Sequence, residues 1–186
     1  WVWGGGWLSA LGRNFGLGHG HVDFAGSSVV HMTGGVLAFF TARILGPRIG
    51  KYTSDGRINP IPPHNVAYVM VGTFILAFGW FGFNAGSNLA GTDVQLAIAA
   101  TNTMLASASG AFAAYLFTTW KFGKPDPSWL ANGMLAGLVA ITAPCAFVES
   151  WAALLIGAIA GVLVVVAALF VDTKLKIDDP VGAIAV

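Results

Sequence analysis

One histidine, His31, lies in a long uncharged and mostly apolar stretch, where an ionisable side chain is costly to bury. A neutral imidazole accepts a hydrogen bond at one ring nitrogen and donates one from the other. His31 is therefore either a packing residue bonded to a nearby carbonyl group, or a group that takes a proton from a bound cation or hydrogen-bonds a small amine. Ionisable residues within such stretches usually serve function, so the pattern favours the second interpretation.

Three further ionisable side chains lie just before that stretch. Asp23 is interpreted as a carboxylate at the start of a helix, where free N–H groups and the helix dipole stabilise it. The alternative for Asp23 is an attraction point for cations. His19 and His21 flank Gly20, and we interpret them as a solvated pair in preference to a metal site.

Aromatic side chains accompany small residues in two places. In the segment 79–87, Trp80 and Phe83 alternate with glycine and alanine, and Ser87 ends the segment. Near the beginning, Trp3 precedes three glycines. The rings have an ordinary explanation as an interfacial belt of a membrane protein. Because aromatic faces attract ammonium-type cations, an aromatic vestibule leading to His31 is the competing hypothesis.

The elements that position these residues follow from composition. The chain has 56% hydrophobic and 9% charged residues, against about 25% charged in soluble proteins. A membrane-spanning helix needs about 20 apolar residues. Five stretches qualify: Phe24–Ile44, Val66–Gly86, Val94–Trp120, Trp129–Val148 and Trp151–Val171. The sequence predicts an all-α polytopic transmembrane helical bundle.

Both ends of the chain indicate further elements. Residues Trp1–Leu11 are predicted to be the tail of another span, and Pro180–Val186 the head of one more, with Pro180 in a first helical turn. The chain begins with Trp1 instead of Met. We therefore interpret the sequence as an internal part of a longer protein, comprising about five complete spans and parts of two others.

Loop charges predict the orientation. Eight of the nine Lys and Arg residues fall in the loops 43–65, 121–128 and 172–179, and Arg13 alone lies on the other side. The positive-inside rule makes the basic side cytoplasmic.

The composition also excludes two other features. The sequence contains no basic stripe of the kind that binds nucleic acid. The single Cys145 excludes an internal disulfide.

Four motifs resemble those of the ammonium transporter family (Amt/Mep/Rh), in order along the whole chain. Residues 23–31 resemble the signature at the start of the family's fifth helix, and 79–87 its sixth-helix motif. Residues 3–6 match the end of helix four, and 178–180 the approach to helix ten. The chain is identified as a member of the prokaryotic Amt type. Residues 1–186 would form one partial domain of the eleven-helix fold, from the end of helix four to the start of helix ten.

The resemblance implies an outer recruitment site for ammonium. Trp3 and Ser87 would contribute to it, and Asp23 would be the acidic residue that organises the region. The family's third contributor, an aromatic residue on the third helix, is missing from this sequence.

The resemblance also implies a pore. Phe83 would be one of two stacked rings that gate it, and Trp80 would line its hydrophobic lumen. His31 is similar to the first histidine of the family's pore pair, and the second is expected just beyond Val186.

The implied function is nitrogen uptake through a channel-like transporter in the inner (plasma) membrane. It would use no cofactor, work as a homotrimer in the lipid bilayer, and meet PII-type regulatory proteins at its cytoplasmic loops. The alternatives are an ammonium sensor with a signalling domain elsewhere, and an Rh-type gas channel. An enzyme is disfavoured, because the sequence has no metal-binding HExxH motif and no phosphate-binding loop.

Overall fold

The computed structural model describes residues 1–186, and its regular structure is helical throughout. Six α-helices follow one another: α1 Leu11–Phe15, α2 Thr33–Leu45, α3 Val66–Asn84, α4 Val94–Phe122, α5 Pro127–Thr142 and α6 Ser150–Phe170. A π-helical turn, Ser27–Met32, leads directly into α2, and another, Val171–Leu175, extends α6. A 3₁₀ turn, Ala85–Asn88, follows α3. The prediction of an all-α helical bundle is confirmed.

Four of the predicted spans have the length and hydropathy to cross a membrane: Ser27–Leu45, Val66–Asn88, Val94–Phe122 and Ser150–Leu175. The remaining predicted span, Trp129–Val148, is longer than the helix found there. Helix α5 has 16 residues and ends at Thr142, before a series of turns. Pro144 explains the early end, because proline has no backbone N–H to continue the helical hydrogen bonds, and the N–H group of Ala143 donates to the Ser27 hydroxyl instead.

The helical predictions at the two ends were wrong. Residues 1–10 form turns before the short helix α1, and residues 180–186 also form turns. Gly4 to Gly6 are poor helix formers, and a short segment closes too few hydrogen bonds to offset the cost of helix nucleation. In the second segment Asp179 accepts hydrogen bonds from the N–H groups of Gly182 and Ile184, which favours a turn.

Helix α4 is the centre of the bundle, with α5 and α6 packed closely against it. Glycines occupy the crossings, and a Cβ atom on any of them would overlap a neighbouring helix: Gly110, Gly133, Gly137, Gly157 and Gly161. In lipid, helices associate largely through such close packing of small residues. The pairs of approaching residues show that α4 runs antiparallel to α5 and parallel to α6.

Replacing Gly161 by alanine is expected to destabilise the bundle by about 1–3 kcal/mol, the usual cost of overpacking. A Cβ atom at this position would overlap the carbonyl oxygen of Gly110, which is backbone and cannot rotate away. Thermal unfolding of the full-length protein in detergent, followed by circular dichroism, measures the effect. Gly72→Ala is the matched control, because no heavy atom lies within 4 Å of a Cβ atom there. An equal loss of stability in both variants would contradict the prediction.

Two basic loops meet at one end of the bundle. Arg48 Nε lies 2.7 Å from a carboxylate oxygen of Asp178, and Lys51 Nζ lies 2.9 Å from one of Asp172. The hydrogen bonds from Arg48 hold the pKa of Asp178 below its usual value, despite burial of the carboxyl group. The α4–α5 connection lies at the same end, because α4 and α6 are parallel. The three loops therefore share one side, as the charge distribution predicts.

Candidate functional site

The site is built on the segment before α2, where the carboxylate of Asp23 holds the first helical turn. One carboxylate oxygen accepts hydrogen bonds from the N–H groups of Gly26 and Ser27, at 2.8 and 2.9 Å. The other accepts from the N–H groups of Ser28 and Val29 and from the Ser28 hydroxyl, at 2.7–3.0 Å. Burial alone would raise the pKa of Asp23, but these donors outweigh it and lower the pKa. Asp23 is therefore an ionised cap of the helix, 4% exposed.

The first turn is wider than an α-helical turn. The carbonyl oxygen of Gly26 accepts from the N–H groups of both Val30 and His31, each at 3.0 Å. Gly26 has φ 124°, a conformation that favours glycine, and a Cβ atom there would also overlap Val30. His31 consequently lies at the beginning of the helix, in a π-helical turn. Such turns occur often at functional sites.

The His31 ring packs against both aromatic residues that are predicted to gate and line the pore, stacked on Trp80 and tilted against Phe83. The imidazole centroid lies 5.0 Å from the ring of Trp80, at an interplanar angle of 21°, and 5.2 Å from that of Phe83. The Trp80 and Phe83 rings are 5.6 Å apart. The indole N–H of Trp80 donates to the hydroxyl of Thr142 at 3.0 Å, which fixes the indole ring. The Nε2 atom of His31 is buried and has no hydrogen-bond partner.

A cavity of about 520 Å³ opens beside the imidazole. Most of its wall is apolar, and its polar members include His31 and Ser27, with Val36, Phe39, Val139 and Ile184 among the rest. No carboxylate lines it, so a bare cation would lose its hydration there without compensation. A small neutral amine, by contrast, can enter this apolar space without that cost.

The predicted recruitment residues lie at the end of the bundle opposite the basic loops. The indole N–H of Trp3 donates to the backbone carbonyl of Asp23 at 2.5 Å, while the Trp3 side chain remains 57% exposed. The Ser87 hydroxyl donates to the carbonyl of Phe83 at 2.7 Å. Trp3 is thus joined to the start of α2, and Ser87 to the end of α3. The two side chains form no hydrogen bond with each other.

Sequence reasoning missed two hydroxyl groups that hold the site together. The Ser27 hydroxyl donates to the carbonyl of Val139 at 2.6 Å and accepts from the N–H group of Ala143 at 2.7 Å. Thr142 positions Trp80, as described above. Isolated Ser and Thr residues in apolar stretches were the available signal, because buried hydroxyl groups need partners. Their partners are distant in sequence, so the pattern alone could not identify them.

The interpretation of the His19 and His21 pair as solvated was wrong for His21. Its Nε2 atom lies 2.7 Å from the Ser28 hydroxyl oxygen, and the residue is half-buried. His19 is exposed, as expected. The structure contains no group of three or more His, Cys, Asp or Glu residues that could hold a metal ion.

Comparison with known proteins identifies relatives of this chain. A family model described as the Ammonium Transporter Family matches residues 1–186. The ammonium transporter Amt2 of Archaeoglobus fulgidus is 51% identical over 188 residues, which cover 100% of this chain and 40% of that protein. The chain thus spans about two fifths of the length of this relative.

Solved structures show the same relationship. A structure titled "Sensor Amt Protein" is 46% identical with a TM-score of 0.86, over 89% of this chain and 40% of that one. The crystal structure of Saccharomyces cerevisiae Mep2 is 33% identical with a TM-score of 0.80, over 100% of this chain and 39% of that one. The helical arrangement described above is therefore shared with these proteins.

Proposed function

The chain belongs to the ammonium transporter family, and on that premise we propose that it forms part of a protein that moves ammonium or ammonia across a membrane. The observation that carries the proposal is the stack of His31 with Trp80 and Phe83, beside an apolar cavity. The buried Nε2 atom of His31, which has no partner within the chain, supports contact with a passing substrate. The family is one of transporters and not of enzymes.

Recruitment of ammonium would take place outside this stack. The exposed face of Trp3 suits a cation–π contact with ammonium, and the Ser87 hydroxyl oxygen has a lone pair that accepts an N–H group. Asp23 is buried and its oxygens already accept five hydrogen bonds, so it organises the region without touching the substrate. It would act through Trp3, which is bonded to its carbonyl group.

Deprotonation and passage would follow at the ring stack. Ammonium can give its proton to the neutral imidazole of His31 and enter the apolar cavity as ammonia, whereas sodium and potassium ions keep their charge and the full cost of dehydration. Phe83 would gate the entrance, and Trp80 and His31 would line the path. The imidazole can both accept and donate a hydrogen bond, so it suits a group that guides ammonia and exchanges a proton.

The decisive experiment uses the full-length protein reconstituted into liposomes. Ammonium pulses are expected to produce a current, and labelled methylammonium supplied on its own is expected to be taken up, whereas equal pulses of sodium or potassium produce no current. Empty liposomes measure passive leakage of ammonia. Uptake no greater than in empty liposomes would contradict the proposal.

An ammonium sensor is the second candidate, because the chain is 46% identical to the structure titled as a sensor. A sensor would bind ammonium and signal through a domain outside the residues described. Ammonium binding detected by calorimetry in a protein that gives no flux would favour this function. An Rh-type gas channel is less well supported, since an exposed indole such as Trp3 suits a cation better than a gas.

Replacing Trp3 by leucine is expected to raise the KM for ammonium by about 2- to 30-fold, the range that corresponds to a cation–π contact. The maximal rate should change little, because the ring stack is left intact. Uptake measured over a range of ammonium concentrations gives both constants. Trp7→Leu is the control, since Trp7 is a similarly exposed indole on the same segment and forms no side-chain hydrogen bond. Equal KM values in the two variants would count against recruitment by Trp3.

The remaining parts of the proposal concern the setting of the protein. We propose a homotrimer in the inner (plasma) membrane, with the loops 43–65, 121–128 and 172–179 on the cytoplasmic side. PII-type regulatory proteins would meet those loops. The ion pairs that join two of the loops, Arg48 with Asp178 and Lys51 with Asp172, give such a partner an ordered surface.

A further inference from the structure

A chain of two hydrogen bonds connects His21 to Asp23, the carboxylate that caps the helical turn before α2. The Nε2 atom of His21 lies 2.7 Å from the Ser28 hydroxyl oxygen, and that hydroxyl lies 2.7 Å from a carboxylate oxygen of Asp23. An ionised carboxylate can only accept hydrogen bonds, so the Ser28 hydroxyl must give its hydrogen to Asp23. The lone pair left on Ser28 then faces His21. The Nε2 atom of His21 must therefore carry a proton and donate.

His21 is held in place from the other side as well. Its backbone N–H donates to the carbonyl of Leu8 at 3.0 Å. Gly20 lies so close to the Ser9 carbonyl that a Cβ atom would overlap it. The loop containing His21 is thus packed against the segment that follows Trp3. His21 consequently links that segment to the π-helical turn that carries His31.

We propose that His21 is a positioning residue for the outer ammonium site. It holds the Ser28 hydroxyl on Asp23, and it braces the segment that carries Trp3 against the residue to which the Trp3 indole is bonded. His21 does not contact the ring stack, so its effect falls on recruitment of ammonium and not on passage. The inference rests on the proposed transport function.

The test compares three variants of the full-length protein in liposomes, with ammonium current measured over a range of concentrations. His21→Ala is expected to raise the KM by roughly 2- to 12-fold, which corresponds to the net free-energy contribution of one hydrogen bond. The maximal current should be unchanged. His21→Gln keeps an N–H donor and should restore the KM to within about twofold. His19→Ala, in the exposed neighbour, should behave as the wild type.

The outcomes separate this inference from the proposed function. A wild-type protein that gives neither ammonium current nor methylammonium uptake above that of empty liposomes contradicts the function, and the inference falls with it. A normal wild-type current with an unchanged KM in His21→Ala contradicts the inference alone, as does a failure of His21→Gln to restore the KM. A fall in maximal current without a change in KM would also overturn it, because a merely structural defect lowers the amount of working protein.

A second measurement does not depend on transport. Nitrogen NMR of the histidine rings in the wild-type protein at pH 8 is expected to show the Nε2–H form of His21, identified by loss of the signal in His21→Gln. Finding the Nδ1–H form would overturn the hydrogen-bond direction on which the inference depends.

Discussion

Replacing His31 by alanine is expected to reduce ammonium-driven current at least about 100-fold, the low end of what proton transfer by a positioned side chain contributes. The imidazole is stacked on Trp80 and Phe83, and its buried Nε2 atom has no partner within the chain. Alanine removes the group that can exchange a proton with a passing substrate and leaves a gap in the ring stack. Uptake that persists without current would show that passage had been uncoupled from proton movement.

The measurement combines two signals from the same liposomes. Electrical recording reports charge movement, and labelled methylammonium reports movement of substrate. His64→Ala is the matched control, because His64 is an exposed histidine in a predicted cytoplasmic loop. An ammonium-selective current in His31→Ala equal to that of the wild type would rule out a proton relay through His31.

The positions of the long helices could be predicted because their apolar stretches are long and nearly free of charge. The helix predicted at Val66–Gly86, for example, is found as a span over Val66–Asn88. The short elements could not be predicted in this way, because hydropathy does not show which acceptors the backbone N–H groups bind. Pro144 shortened α5, and Asp179 bent the residues after it into a turn.

The candidate site was partly predictable for a related reason. His31 stood out as an ionisable residue among apolar ones, and Asp23 as a carboxylate before a helix. The stacking of His31 on Trp80 depends on a π-helical turn, which has no periodicity signal of its own in the sequence. The contact between His21 and Ser28 depends on a loop conformation, so composition suggested solvation where the structure shows a hydrogen bond.

Replacing Asp23 by asparagine is expected to destabilise the protein by about 1–3 kcal/mol, the cost of leaving a buried hydrogen-bond donor without its acceptor. The amide would present an NH₂ group where the carboxylate now accepts the N–H groups of Ser28 and Val29 and the Ser28 hydroxyl. The π-helical turn would lose its cap, and His31 would lose its place in the ring stack. Ammonium transport should therefore fall together with stability. Thermal unfolding in detergent and uptake in liposomes measure the two effects.

The pH dependence of this loss distinguishes the charge of Asp23 from its shape. Because the folded-state pKa of Asp23 is lowered, the ionised carboxylate stabilises the fold at every pH above its ordinary value of 3.8. That contribution disappears as the pH falls below 3.8 and passes through the lowered pKa. The difference in melting temperature between wild type and Asp23→Asn should consequently be constant from pH 7 to about 5 and shrink below 3.8. A difference that persists unchanged in acid would mean that the shape of the side chain, and not its charge, holds the π-helical turn that leads into α2.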